Sequence, residues 1–135
     1  MIAANKTITE FLNKKNVFAV IGASKNSEKY GHKIYENLKH AGYVVYPVNP
    51  NSDNILGDKC YDKLNDLPIK PDVVNTVVPP KITENIVIEC KKLGINKIWM
   101  QPGSDSKKAI RFCVQNRIRV LHDICLMIES KKLKK

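Results

Sequence analysis

An α/β fold built on a doubly wound parallel sheet is what this sequence predicts, and three observations carry the prediction. Val17 to Ile21 is an apolar run without polar alternation, the pattern of a strand buried on both faces of a sheet. Runs of this kind then alternate with helical patterns along the chain, with no internal repeat or long linker between them. Four strand ends carry glycine or proline: Gly22-Ala23-Ser24, Asn49-Pro50, Val78-Pro79-Pro80 and Gln101-Pro102-Gly103. In open parallel sheets ligands bind beyond the C-terminal strand ends, where the strand order reverses. The four ends are therefore expected to meet at one crevice, although proline also simply ends strands.

The elements follow in order. Thr7-Ile8-Thr9-Glu10 has capping-box spacing, so an N-terminal helix is expected within residues 1–15, from about Thr7 to Lys15. The Val17–Ile21 strand stops at Gly22, and a polar loop runs from Ala23 to Lys29. A helix is expected from Tyr30, with Ile34, Tyr35 and Leu38 on one face and Gly42 at its C′ position. Tyr43 to Val48 is the second strand. Residues 55–61 read as a connector with a short edge strand, and Asp62 to Leu67 as one helical turn. Asp72 to Val78 is a β-branched strand expected to pair with Val17–Ile21 at the sheet centre. Pro79-Pro80 opens a helix over Lys81 to Leu93, with Ile82, Ile86, Val87, Cys90 and Leu93 as its apolar stripe and Gly94 as its cap. Asn96 to Met100 is the fourth strand. Ser104 or Asp105 is expected to cap a helix that turns Ala109, Ile110, Phe112, Cys113 and Val114 to the core. Val120-Leu121-His122 is the last strand, and residues 130–135 read as a solvated basic tail. The whole, residues 1–135, is expected to be one domain.

Composition narrows the function classes. The formal charge is +10, but of 23 basic residues only Arg111, Arg117 and Arg119 are arginines. Arginine is the usual bidentate reader of bases, so specific nucleic-acid binding is not expected, and a small polyanion would enjoy the same positive field. No apolar run reaches the roughly 20 residues of a membrane helix. Cys60, Cys90, Cys113 and Cys125 are scattered without a C-x-x-C pair, as expected of reduced thiols in a cytoplasmic protein. His32, His40 and His122 are equally scattered, and neither a metal site nor a catalytic triad is suggested.

Gly22 between strand and helix points to an anion site at the helix N-terminus, though a lone glycine also serves a tight turn. The dinucleotide fingerprint G-x-G-x-x-G is absent, and the second strand ends Val48-Asn49-Pro50, without the acid that would hold ribose hydroxyls. Lys25, Lys29 and Lys33 lie close to the expected anion site.

The ordered set Val20-Ile21-Gly22-Ala23-Ser24, Ala41-Gly42-Tyr43, Val48-Asn49-Pro50, Ile55-Leu56-Gly57, Val77-Val78-Pro79-Pro80, Ile98-Trp99-Met100-Gln101-Pro102-Gly103 and Asp123-Ile124-Cys125 resembles the small CoA-binding proteins related to the N-terminal domain of the succinyl-CoA synthetase alpha subunit. The resemblance covers about Phe11 to Glu129. It implies a Rossmann-like fold with coenzyme A or an acyl-CoA as ligand. On that basis Gly22, Ala23, Ser24, Lys25 and Asn26 would hold phosphates, with Lys33 beside them. Asn49, Pro50 and Ser52 would contribute from the second strand's loop, Ser52 standing where the synthetase has lysine. Val78, Pro79 and Pro80 would lie against the nucleotide, and Met100, Gln101 and Pro102 nearer the pantetheine arm. Cys125 falls on the ligand side of the last strand, where it would approach the CoA sulfur or else serve as a small buried hydrophobe. The synthetase's phosphohistidine domain has no counterpart here, so binding without catalysis is the expectation. Two alternatives remain: an NAD(P)-binding redox protein or sensor, and a subunit or partner of an acyl-CoA ligase. A homodimer is also compatible.

Overall fold

A computed structural model describes residues 5–133. Residues 1–4 of the N-terminal segment and 134–135 of the basic tail lie outside the described residues. Five strands, β1 (Val17–Ile21), β2 (Val44–Val48), β5 (Val73–Thr76), β6 (Lys97–Met100) and β7 (Arg119–Leu121), form a sheet in the order β2-β1-β5-β6-β7. All four pairings are parallel. A two-stranded antiparallel hairpin, β3 (Asn54–Ile55) with β4 (Asp58–Lys59), sits beside the β2 edge.

The two faces are filled by different helices. Helix α1 (Asn5–Phe11), α2 (Tyr30–His40) and α5 (Leu126–Leu133) bury Ile8, Phe11, Ile34, Leu38 and Leu126 against Phe18, Val20, Val73 and Trp99. On the opposite face α3 (Pro80–Leu93) and α4 (Lys107–Gln115) bury Val87, Cys90, Ala109 and Cys113 against Ala19, Val74, Ile98 and Met100. Successive strand residues thus feed opposite cores, which explains the unalternated apolar runs. Because β1 leads outward to β2 and the chain then returns to β5, the strand order reverses between β1 and β5. The expected central pairing of these strands is present, with Phe18 opposite Val73 and Ile21 opposite Thr76.

Several boundaries differ from the expectation. Helix α1 ends at Phe11 rather than near Lys15, because the Asn16 side-chain amide donates to the Glu10 and Phe11 carbonyls and closes the helix there. Strand β5 ends at Thr76, two residues short of Val78. Ser104 does not cap α4: its hydroxyl is buried against Thr76 and the Gln101 carbonyl. Ser106 is the cap, its Oγ accepting from the Ala109 N–H at 2.9 Å. Ile82 and Val114, assigned to apolar stripes, are exposed, and Thr83 is buried instead. Residues 130–133 belong to α5, not to a free tail, and Ser130 is buried where its hydroxyl donates to Asn37 of α2. Pro47 lies within β2, and its carbonyl accepts from the Tyr61 N–H on the outer edge. A proline is tolerated there because an edge strand does not need the donor it lacks.

Candidate functional site

The switch point between β1 and β5 is held by two glycines. Gly22 has φ +99°, and a Cβ there would meet the Val77 carbonyl oxygen at 2.4 Å. Gly31, in the first turn of α2, would place a Cβ 2.0 Å from the Gly22 carbonyl oxygen. The end of β1 is therefore clamped between the end of β5 on one side and the start of α2 on the other. Gly22 serves this close approach as well as the turn. Gly31 plays the helix–strand packing part that the third glycine takes in dinucleotide folds, at a different spacing.

The clamp leaves the N-terminus of α2 open. Its N-cap is Lys29, whose side chain makes no capping bond, and no acid stands in the first turn. The Lys29 carbonyl accepts from the His32 N–H, and the Lys29 N–H donates to Asn26. The amides of Tyr30 and Gly31 are left at the positive end of the helix dipole. The N-terminus of α3 is different: Pro79 and Pro80 remove two donors from it. Of the two helix starts at the β1–β5 switch point, α2 is the one equipped for an anion.

The loop from Ala23 to Lys29 is preordered. Ser24 Oγ accepts from the Asn26 N–H, Asn26 Oδ1 accepts from the Glu28 N–H, and the buried His32 holds the Ser24 carbonyl through Nδ1 at 2.8 Å. Asn49 ties the two loops together, donating through Nδ2 to the Ala23 carbonyl and accepting at Oδ1 from the Asn51 N–H. Ser52 is half-buried, and its N–H donates to the Asn49 carbonyl. Lys25 and Lys33 are exposed on the flank of this loop.

Two cavities open at the strand ends and share Val78. The larger, about 420 Å³, is walled by Ile21, Val48, Leu64, Val78, Ile82 and Ile86, and Gly22, Asn49 and Pro50 also line it. Here the exposed Ile82 has its place, as cavity wall rather than core. Asp62 and Glu89 line the same cavity. The smaller, about 340 Å³, lies between Val77-Val78-Pro79 and Pro102-Gly103-Ser104, with Tyr30 beside them.

Of the remaining expected residues, Pro80 is exposed in the first turn of α3 and lines neither cavity, and the others sit deeper. Met100 and Gln101 are fully buried, so their side chains support the crevice and present no surface to it. Gln101 donates through Nε2 to Asn75 Oδ1 and accepts at Oε1 from the Leu126 N–H, each at 3.0 Å. The Tyr30 hydroxyl stands 3.5 Å from Gln101 Oε1 and 2.7 Å from Cys125 Sγ. Burial, followed by the bond to Cys125, pushes the Tyr30 phenol well above its ordinary value and keeps it protonated. Tyr30, Gly31, His32 and Asn75 were not among the expected site residues. Only Gly31 left a signal, as a glycine where a helix begins; Tyr30 and Asn75 act through contacts with distant segments, and His32 through the Ser24 carbonyl of the adjoining loop. Among the described residues no cluster of three or more His, Cys, Asp or Glu could hold a metal. Nor is any described helix long and apolar enough to cross a membrane.

A parallel sheet with helices on both faces, an uncapped helix start and paired cavities at its switch point define a Rossmann-like α/β domain with a candidate anion site. The chain belongs to the CoA binding domain family, which matches residues 16–131. It is 46% identical over 79 residues to acetate–CoA ligase [ADP-forming] II of Archaeoglobus fulgidus, a match covering 57% of this chain and 12% of the ligase. It is 36% identical over 89 residues to the acetate–CoA ligase [ADP-forming] II subunit alpha of Pyrococcus furiosus, covering 65% of this chain and 19% of that subunit. The chain thus spans a fifth or less of the length of these curated relatives. A solved structure, a hypothetical protein from Pyrococcus horikoshii, superposes with a TM-score of 0.93 at 31% identity, covering 98% of this chain and 94% of that one. The two curated relatives are ADP-forming acetate–CoA ligases, and neither is the succinyl-CoA synthetase of the expected resemblance.

Proposed function

We propose that this chain binds coenzyme A or an acyl-CoA across the two cavities, with a phosphate at the start of α2. The single observation that carries the reading is the uncapped α2 N-terminus at the switch point, where a preordered loop offers free amides and the helix's first turn holds no acid. Family membership and the ligase relatives support the choice of CoA among nucleotides. Gly22, Ala23, Ser24 and Asn26 supply the phosphate loop. Asn49, Pro50 and Val78 wall the nucleotide cavity. Pro79 and Pro102 flank the cleft for the pantetheine arm, Met100 and Gln101 support it from behind, and Pro80 serves to start α3. Lys25 or Lys33 reads the 3′-phosphate, with Ser52 on the neighbouring loop. A charge-assisted bond contributes about 1.5–3 kcal/mol, so dephospho-CoA is expected to bind about tenfold or more weakly. Calorimetry with CoA, dephospho-CoA and NAD tests this. Tight NAD binding without CoA binding would move the assignment to the redox alternative. A second reading, that the chain acts beside the catalytic parts of an acyl-CoA ligase, is favoured by its match to part of an alpha subunit. Retention of an ATP-dependent ligase subunit by the tagged protein is the test of that reading.

A further inference from the structure

The smaller cleft has chemistry behind its wall that binding alone does not use. Of the four cysteines, Cys60, Cys90 and Cys113 are buried, and only Cys125 is partly accessible. Burial pushes the thiols of Cys60, Cys90 and Cys113 up, that of Cys113 to about 12, which withholds the reactive thiolate. Cys125 is held in position from both sides. The Trp99 indole donates to the Ile124 carbonyl at 2.9 Å, and Gln101 Oε1 accepts from the Leu126 N–H at 3.0 Å. Its sulfur lies 2.7 Å from the hydroxyl of Tyr30, which lines the cleft.

A second observation comes from Asn75, which is fully buried. The Leu126 N–H is a donor, so the Gln101 atom facing it must be oxygen. Gln101 therefore donates from nitrogen, and Asn75 receives that bond on Oδ1. This leaves Asn75 Nδ2 as a buried donor without an acceptor among the described residues. A buried donor of this kind is unfavourable until an acceptor arrives. Asn75 precedes Val77 by two residues on the same strand face, and Val77 and Tyr30 line the cleft, so the orphan donor lies behind the cleft wall without lining it. An arm with amide carbonyls and a terminal sulfur matches the two groups together: an acceptor for Asn75 and a partner for Cys125.

We infer that Cys125 is a thiol–disulfide exchange site for the sulfur end of the nucleotide bound in this crevice, which rests on the CoA reading above. With CoA disulfide, the Cys125 thiol releases its proton and its sulfur attacks one sulfur of the disulfide. The S–S bond of the ligand breaks, and the departing CoA thiolate takes up a proton. One disulfide replaces another, without net oxidation. The product holds CoA covalently and removes the thiol from the Tyr30 hydroxyl.

The test is intact-mass spectrometry of the full chain treated with CoA disulfide, with hydroxyethyl disulfide at equal concentration as the nucleotide-free comparison. The expected result is one CoA adduct per chain, formed at least tenfold faster than the hydroxyethyl adduct and lost in Cys125→Ser. Calorimetry of reduced Cys125→Ser with CoA separates the two claims. Binding there, combined with an adduct that persists in the variant or with equal rates for the two disulfides, overturns the exchange site alone. No CoA binding by the reduced wild type or the variant overturns the functional reading and this inference together.

Discussion

Replacing Gly31 with alanine opposes two effects of known sign. Glycine inside a helix is unfavourable, so helix propensity alone makes Gly31→Ala stabilising by about 1 kcal/mol. Packing says otherwise. The added methyl would lie 2.0 Å from the Gly22 carbonyl oxygen and 2.9 Å from its carbon, and real Cβ contacts stay above 3.0 Å. The obstacle is backbone on both sides, since Gly22 is itself pressed against the Val77 carbonyl, and neither wall can rotate away. Overpacking of this kind costs about 1–3 kcal/mol, and the rigid surroundings place it at the upper end. The net is a loss of about 2 kcal/mol once the propensity gain is deducted. With about 2.1 cal/mol/K of unfolding entropy per residue, a chain of 135 residues should lose about 7 °C in Tm. Scanning calorimetry of both proteins measures it. The control is Gly57→Ala, where nothing lies within 4 Å of the new methyl and only the positive φ of +83° is penalised, by about 1–2 kcal/mol. A Gly31→Ala protein that melts at or above the wild-type temperature would refute the clamp.

Further outcomes follow from the buried groups. Gln101→Ala strands the Leu126 N–H and Asn75 Oδ1, and should lower urea-unfolding stability by about 2–4 kcal/mol with little change in m. The Cys113 thiol is held up to about 12 by burial, whereas an unfolded cysteine titrates near about 8.5. Between these values the unfolded chain releases a proton that the native chain retains, so stability falls as pH rises above about 8.5. Denaturant titrations from pH 7 to 10 should give a shallower slope for Cys113→Ala, whatever its lower baseline. Asp58 is held below the usual carboxylate range by Lys39 and then Tyr35. Its contribution is present above the unfolded carboxylate pKa and lost as pH falls through the folded one, so Asp58→Asn should flatten the acid limb of thermal stability below about pH 4.

Most strands were legible because a strand buried on both faces needs a continuous apolar run, and Val17–Ile21 and Val73–Val74 offer little else. Helix faces were less legible. Ile82 fits an apolar stripe by spacing, yet it lines a cavity while Thr83 turns inward, since a helix beside an open cavity need not bury its whole apolar face. Ser104 was read as a cap because capping is the local use of serine; its hydroxyl instead meets Thr76, 28 positions away in sequence. The same limit governs the site. The glycine–proline strand ends announced a crevice, but Met100 and Gln101 lie beneath it, and the residues that order it from behind, His32, Asn75 and Tyr30, make contacts only folding creates. Lysines 131 and 132 suggested a solvated tail, and the helix there is docked by Ser130, a residue with no apolar signal.

The surroundings of Trp99 make this protein its own optical gauge. It is the chain's single tryptophan, fully buried on β6, with Phe11 of α1 edge-on at 6.2 Å and its indole N–H on the Ile124 carbonyl just before α5. One chromophore thus touches the first helix, the approach to the last helix and the strand leading into the crevice. Its emission should stay blue while both terminal helices are seated and shift red when either lifts and admits water. Separate red shifts along a denaturant titration would show the ends of the chain letting go one at a time, and a single shift would show them leaving together.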